Sequence, residues 1–408
     1  MFRESSEVNG DQPVGVMLSV SGFRGIEVKV YEDEGRRRTV EEVATYRVVR
    51  PGQLAVNTMW LNYGGLGVSD LEGHVSPAYR SYWIASTENS RFIHHLMRSA
   101  TYIDGYTSLL TGIRPNSLQM SRDNLMDFPI LLPPPADQLW ISRFLDRETA
   151  EIDTFIADQD ELIRLLAERR AATISRAVTK GLDPNVPMKD SGVEWLGEVP
   201  SNWSIEKLGW RARIGNGSTP SREEPSFWTE GTIPWLSSTV VNQGRVDLAT
   251  EFVTTKAKSS CHLPVAQAGS VLVGLTGQGR TRAMAARLTF NSTISQHLAY
   301  VQPRRGLEPD FTYWLIVSAY RHLRFQSDGN GGTKGGLTCE ELASLRVPVP
   351  SLSEQQSIVQ RLDNETYELD EAIADARDAI ALSRERRTAL ISAAVTGKID
   401  VREHGAVA

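Results

Sequence analysis

Apolar residues recur at alternating steps of three and four along two long stretches of the chain. The first stripe is Leu145, Thr149, Ile152, Ile156, Gln159, Ile163, Leu166, Arg170, Thr173 and Ala177. The second is Leu362, Thr366, Leu369, Ile373, Ala376, Ile380, Ser383, Arg387, Leu390 and Ala394. This is the heptad rule of a supercoiled helix pair. About 45 residues of helix span roughly 65 Å. A stripe this narrow on a helix this long wants one partner along its length, and each stretch is the obvious partner of the other. Prolines upstream stop any incoming helix. Ser353 with Gln356 predicts a capping box at the second start, and Gly181 and Gly397 fall where the helices should end. A second apolar set lies off the stripes: Ile141, Leu162, Leu165 and Ile174, then Ile358, Ala379, Leu382 and Ile391. It predicts a docking surface with room for a further helix to pack alongside.

The two stretches are copies. Asp137–Asp183 and Glu354–Asp400 align without a gap, with about half of the positions identical. The matches include Leu145-Asp146 with Leu362-Asp363, Glu168-Arg169-Arg170 with Glu385-Arg386-Arg387, and Ala177-Val178-Thr179 with Ala394-Val395-Thr396. Each copy follows a Pro-rich entrance, Phe128–Pro135 and Val347–Pro350. The period is too long for a solenoid. The pattern predicts a duplicated globular segment plus helix.

The intervening segments, about 14–132 and 194–350, have a different texture. They are rich in Gly, Pro, Trp and β-branched runs such as Val271-Leu272-Val273, with some helix near Asp310–Phe325. Short strands and many turns predict mixed α/β globules with irregular loops. Pro184, Pro187 and Gly192 predict an irregular extended linker after the first helix. The expected order is a first globular domain at 1–135, a long helix at 136–182, a linker at 183–200, a second domain at 201–351, a second long helix at 352–399 and a tail at 400–408.

Composition narrows the function. With 408 residues the chain is long enough for two or three domains. Two cysteines far apart, Cys261 and Cys339, exclude a disulfide framework and a local zinc site, which makes a reducing cytoplasm the default. The first residues carry no signal-peptide pattern and no stretch reaches the ~20 apolar residues of a membrane span. Gly329–Gly335 fails the G-K-[S/T] phosphate-loop pattern, because Lys334 is followed by Gly335. The seven histidines show no metal-ligand spacing. A G-x-S-x-G elbow is absent. The Trp residues at 195 and 203 read as core or clamp residues.

The second globular segment opens with Gly192–Trp203, followed by Gly215-Asn216-Gly217-Ser218-Thr219-Pro220 and Ile233-Pro234-Trp235-Leu236. The second helix is entered through Pro350–Gln356. In this order, and with the duplicated helix, these motifs resemble the specificity subunit of type I restriction–modification enzymes. The resemblance covers nearly the whole chain. It implies two target-recognition domains separated by an antiparallel coiled-coil helix pair with pseudo-two-fold symmetry. It implies a bipartite double-stranded DNA target, one half per domain, two methyltransferase subunits held on the helices, and restriction–translocase subunits beyond them. The chain itself would be non-catalytic and bind no cofactor; S-adenosylmethionine, ATP and Mg would belong to the partner subunits. If the helices set the gap between half-sites, one added turn after residue 150 (about 6 Å against about 3.4 Å per base pair) would lengthen it by about one to two base pairs. About 40 residues at the front of the second half have no counterpart in the first, so the first domain is expected to be shortened. A helix-pair scaffold with protein-binding domains, or a degenerate subunit that reads nothing, are the alternatives.

A net charge of −6 does not argue against DNA, because charge is unevenly placed. The repeated helices hold much of the acid, and Arg and Lys concentrate in the second globular segment. Phosphate contacts need local positive charge, and base reading needs Arg, amide and hydroxyl groups on loops. The candidates in the second domain are Asn216, Ser218, Thr219 and Arg222 on one loop, Thr276, Gln278, Arg280 and Arg282 on another, and Lys334 on a Gly-rich third. In the first domain they are Asn57, Asn62 and Tyr63 beside Trp60, then Arg91 and Arg114.

Overall fold

The computed structural model describes all residues except 23, 32–38, 113–118, 278, 305, 329–334 and 403–408. It divides into two compact units that the expected linear order of domains did not anticipate. The first is Met1–Glu161 with Ala376–Ala408, and the second is Leu162–Asp375. Each long helix therefore contributes to both units.

The first unit begins with β1 (Phe2–Glu4), β2 (Val16–Ser21), β3 (Gly25–Val28), α1 (Val40–Val43), β4 (Arg47–Val49) and β5 (Gln53–Asn57). It continues with β6 (Leu66–Val68), β7 (Gly73–Val75), β8 (Tyr79–Ile84), α2 (Ser90–Met97), α3 (Ala100–Leu109) and α4 (Arg122–Met126). The first long helix, α5, runs Pro135–Lys180. One sheet has the order β1-β8-β5-β6, the other β3-β2-β7-β4. Strands of alternating or continuous apolar character bury themselves against α2 and both long helices. Leu54, Val56 and Leu66 share a core with Phe92, Ile93 and Leu96, with Ile141 and Leu145 of α5, and with Ile391 and Ala394.

The second unit opens with β9 (Met188–Asp190) and β10 (Glu198–Pro200), an antiparallel hairpin where an irregular linker was expected. Gly192 and Gly197, both with left-handed φ, supply its turns. Then come β11 (Ser204–Lys207), α6 (Leu208–Arg211), β12 (Ala212–Asn216), β13 (Ile233–Leu236), β14 (Arg245–Val246), β15 (Glu251–Val253), α7 (Thr255–Ser260) and β16 (Val265–Ala266). After these are β17 (Val271–Gly274), β18 (Ala285–Leu288), β19 (Ser292–Ile294), β20 (Leu298–Pro303), α8 (Pro309–Ser318), α9 (Tyr320–Asp328), α10 (Cys339–Ser344) and β21 (Arg346–Val349). The second long helix, α11, runs Leu352–Val395. The sheets have the orders β12-β20-β17-β18-β14 and β15-β13-β19-β16.

Four strands of each sheet correspond between the units, and only β14 stands outside the match. β1, β8, β5 and β6 correspond to β12, β20, β17 and β18; β3, β2, β7 and β4 correspond to β15, β13, β19 and β16. Even the mixed pairing is repeated: β2 runs parallel to β7 and antiparallel to β3, as β13 does to β19 and β15. The duplication predicted from the helices thus extends through both globules. Both sheets are present in the first unit, with β1 already in place upstream of Met17. What that unit lacks, among the described residues, is a counterpart of the hairpin, of β14 at the sheet edge, and of β11, which in the second unit pairs with β21.

The stripes behave as predicted. Leu145, Thr149, Ile152 and Ile156, and Leu362, Thr366, Leu369 and Ile373, are buried. Within the first unit the start of α5 packs with the end of α11; within the second the end of α5 packs with the start of α11, so the pairing is antiparallel. The cap of α11 differs from expectation. Ser351, not Ser353, accepts from the Glu354 amide at 3.3 Å. The helix starts two residues earlier than Ser353 would allow, because Pro350 already ends β21. At the other end Gly397 has φ +71°, and Lys398 N–H reaches Ala393 O while Gly397 N–H reaches Ala394 O. That is a Schellman closure.

Candidate functional site

In the second unit three connections meet at one sheet end: the loop from β12 to β13, the loop from β17 to β18, and the tight turn from β19 to β20. Only glycine fits at 217, where a Cβ would lie 1.7 Å from Ile294 O. This close approach brings Ser218 N–H onto Ile294 O at 3.0 Å. Trp235 Nε1–H then holds Ser218 O at 3.1 Å, and Trp228 Nε1–H holds Ser221 O at 2.9 Å. From the other side, Arg324 donates to Gly279 O at 2.6 Å and Tyr320 OH to Arg280 O at 3.3 Å. The loops are therefore fastened at their backbones.

A chain of side chains joins them across the edge. Thr219 OH donates to Gln296 Oε1. Gln296 Nε2 lies 3.4 Å from His297 Nε2, and His297 Nδ1 lies 3.0 Å from Thr276 Oγ1. One set of roles satisfies all three contacts: hydroxyl to amide oxygen, amide N–H to imidazole Nε2, imidazole Nδ1–H to hydroxyl. Gln296 and His297 are exposed. Gln296 keeps one N–H and one acceptor lone pair for an outside partner. Of the residues that the sequence offered on these loops, the side chains of Thr219 and Thr276 enter this cluster, whereas Gln296 and His297 were not among them. The missing signal was topological: the β19–β20 turn becomes part of the edge only once β19 is known to lie beside β13.

The corresponding edge of the first unit is formed by the β5–β6 loop and the β7–β8 turn. There Trp60 and Tyr63 are 56% and 58% exposed, with ring centroids 5.6 Å apart. Thr58 OH reaches Ala78 O at 3.5 Å, joining loop to turn. Asn57 caps its own loop, accepting from Met59 N–H at 3.2 Å. Asn62 turns its carbonyl oxygen inward, where it finds no partner. Of the candidates here, Tyr63 with its neighbour Trp60 faces outward.

Several expected contact residues are occupied by the fold. Arg282 is 4% exposed, ion-paired to Asp328 and packed under Gly335. It braces the loop instead of reaching outward, because Arg324 and Tyr320 pull the loop down over it. Arg91 is committed to Asp146 at 2.7 Å and Asp70 at 3.4 Å. Arg222 lies 3.8 Å above the Trp228 ring and pairs with Glu251 at 2.6 Å, while Arg280 is exposed. Arg114, Gln278 and Lys334 lie outside the described residues.

The predicted docking face also divides. Ile141, Ile174, Ile358 and Ile391 are buried in the cores of their own units. The globules take the sides of the helices on which they stand, which the stripe alone could not reveal. Leu162, Leu165 and Leu382 are exposed, at 41%, 48% and 68%. Leu165 and Leu382 are equivalent positions in the two copies.

Each globule is pinned to its helix at equivalent residues. Buried Gln138 accepts from Asn89 N–H at 2.9 Å and donates to Glu88 and Pro133 O. Its twin Gln355 accepts from Glu308 N–H at 2.8 Å and donates to Gly306 O and Pro350 O. Two turns further on, Asp146 binds Arg91 and His95 Nε2 at 2.8 Å, and Asp363 binds Arg287 at 2.7 Å and Trp314 Nε1 at 3.0 Å. Burial would raise the Asp146 carboxyl, but the hydrogen bonds from His95 and Arg91 outweigh it and hold the group well below the usual carboxylate range. Burial pushes His95 down, only partly offset by Asp146. His94 is also pushed down by burial, and its Nδ1 accepts from Val68 N–H at 3.2 Å, which requires an unprotonated nitrogen. Among the described residues no group of three or more His, Cys, Asp or Glu could hold a metal ion. No helix among them is long and apolar enough to cross a membrane.

Comparison with known proteins adds an independent line. Residues 200–376, from β10 through the middle of α11, match the family model described as the type I restriction modification DNA specificity domain. The chain is 24% identical over 241 residues to the EcoR124I/EcoR124II specificity subunit of Escherichia coli, covering 55% of this chain and 57% of that one. It is 24% identical over 321 residues to the EcoBI specificity subunit of Escherichia coli, covering 76% and 66%. The chain thus matches less than two thirds of these relatives' own lengths. Its fold is similar to that of a chain from a study of complex assembly and conformational transition of the type I R-M system, with TM-score 0.65, 18% identity and 98% of each chain covered. It is also similar to the HsdS subunit from Thermoanaerobacter tengcongensis, with TM-score 0.51, 17% identity, and 98% and 94% covered. The loop edge with Gln296 lies within the residues that match this family model, and the Trp60–Tyr63 edge occupies the same place in their structural duplicate.

Proposed function

We propose that this chain is the non-catalytic DNA-recognition subunit of a type I restriction–modification complex. Each unit presents its loop edge to one half of a bipartite double-stranded target. The carrying observation is that one chain holds two copies of the same two-sheet globule, each with its own outward edge, and one copy matches the DNA specificity domain model. Two methyltransferase subunits would dock on the exposed helix positions around Leu162, Leu165 and Leu382, and restriction subunits would join that core. S-adenosylmethionine, ATP and Mg would be bound by those partners, which do the chemistry that this chain aims.

Binding of the assembled chain and methyltransferase to DNA tests this. The logarithm of affinity should fall steeply and linearly with the logarithm of salt concentration, since phosphates are neutralised by displacing counterions. A duplex carrying the target should also bind roughly 10³-fold or more tighter than an unrelated one. Affinity for protein partners with no salt-dependent affinity for DNA would mean a scaffold instead.

A further inference from the structure

The two loop edges occupy equivalent places but carry different chemistry. In the second unit the turn between β19 and β20 ends on exposed Gln296, whose amide is set by Thr219 and His297. In the first unit the equivalent turn is Ser76-Pro77-Ala78, which offers no side-chain amide, and the neighbouring loop offers the exposed Trp60–Tyr63 pair instead. Met120 N–H on Thr58 O and Gly65 N–H on Trp60 O, at 3.2 and 2.8 Å, tie that loop's backbone. The pair is presented from a fixed base.

Resting on the recognition function above, we infer that the two half-sites are read by unlike means: Gln296 reads an adenine through its amide, and Trp60 with Tyr63 reads a thymine through its C5 methyl group. A side-chain amide with one donor and one acceptor free matches the N6–H and N7 edge of adenine in the major groove. Flat apolar rings match the one apolar group that a base pair shows there, the thymine methyl. Thr219 and His297 are positioning residues for Gln296. The exposure of two large aromatics on the edge is explained by this contact, since each isolated ring gains nothing from solvent.

The experiment is selection from a pool of randomised duplexes by the full chain with its methyltransferase subunits. Four forms are compared: wild type, Gln296→Ala, Trp60→Ala and Trp60→Phe. Wild type should return two specified halves. Gln296→Ala should relax an adenine position in one half only, by roughly 5- to 150-fold. Trp60→Ala should relax a thymine position in the other half only, and Trp60→Phe should retain it. On wild type, replacing that thymine by uracil should weaken binding, and on Trp60→Ala the same replacement should change nothing further. The inference is overturned if both alanine variants relax the same half, if neither changes the motif, or if uracil binds wild type as tightly as thymine. A wild-type complex that selects no two-part motif overturns the recognition function itself, and this inference with it.

Discussion

At the residue scale, the groups that pin each globule to its helix are polar and buried. Gln138→Ala and Gln355→Ala each strand buried backbone N–H and C=O groups, so each should lower the stability of its own unit by about 1–3 kcal/mol, measured by chemical denaturation with a probe in each unit. A second expectation concerns pH. His94 and His95 are held neutral in the first unit, with Arg91, Arg98, Arg387 and Asp146 facing them. Below about pH 6.5 the unfolded chain takes up protons that the folded unit refuses, so stability is full above that pH and falls as pH drops. Asp146 adds a further loss at lower pH, as its depressed carboxyl is forced to protonate. The second unit has Trp314 where the first has His95 and should show less of this loss. His95→Gln, which keeps an N–H for Asp146 without a titrating ring, should flatten the curve of the first unit between pH 7.5 and 5.5. An equal slope in the variant would exclude His95 as a source. These pins were partly readable in advance. Gln138 and Gln355, and Asp146 and Asp363, are identical between the copies at polar positions off the stripe, a coincidence that surface residues have no reason to keep. What each one touches was not readable, because Arg91, His95, Arg287 and Trp314 come from distant parts of the sequence.

At the element scale, the heptad stripe alone predicted two long helices within a few residues of their observed ends. Gly397 was correctly placed as the stop, and its left-handed backbone yields a clean test. A Cβ there meets nothing within 4 Å, so Gly397→Ala should cost only the backbone term, about 1–2 kcal/mol in thermal unfolding of the first unit. The off-stripe apolar set was half misread. Ile141, Ile174, Ile358 and Ile391 turn toward the globules, since a heptad shows which face pairs but not which flank a domain covers. The remainder, Leu162, Leu165 and Leu382, is solvent-facing apolar surface on helices. Leu165→Asp and Leu382→Asp should leave folding within about 0.5 kcal/mol of wild type, because both sites are exposed. The same changes should abolish co-purification with the methyltransferase subunits. Retained co-purification would place docking elsewhere. Crossed ion pairs repeat as well: Arg170 with Asp370 and Arg387 with Asp153 join equivalent positions. Partly exposed pairs of this kind add little stability, and their value lies in fixing which residues stand opposite.

At the scale of the whole molecule, the duplication is deeper than the helices disclosed. Sequence identity is plain only over the helix copies, where a regular repeat of contacts constrains many positions together. The globules have diverged, yet their two sheets keep one strand order, including the unusual parallel pairing of β2 with β7 and β13 with β19. Backbone pairing tolerates side-chain change, so the shared topology survived where the sequence signal faded. The edge loops differ, with a polar Gln296 edge in one unit and an aromatic Trp60–Tyr63 edge in the other, as the inference of unlike reading requires. One chain with two such edges should specify two separate stretches of DNA. Sequencing of methylated adenines in cells carrying this chain with its methyltransferase subunits tests that directly. The account predicts one motif of two specified halves around a gap of fixed length and free sequence; a single uninterrupted motif would contradict it.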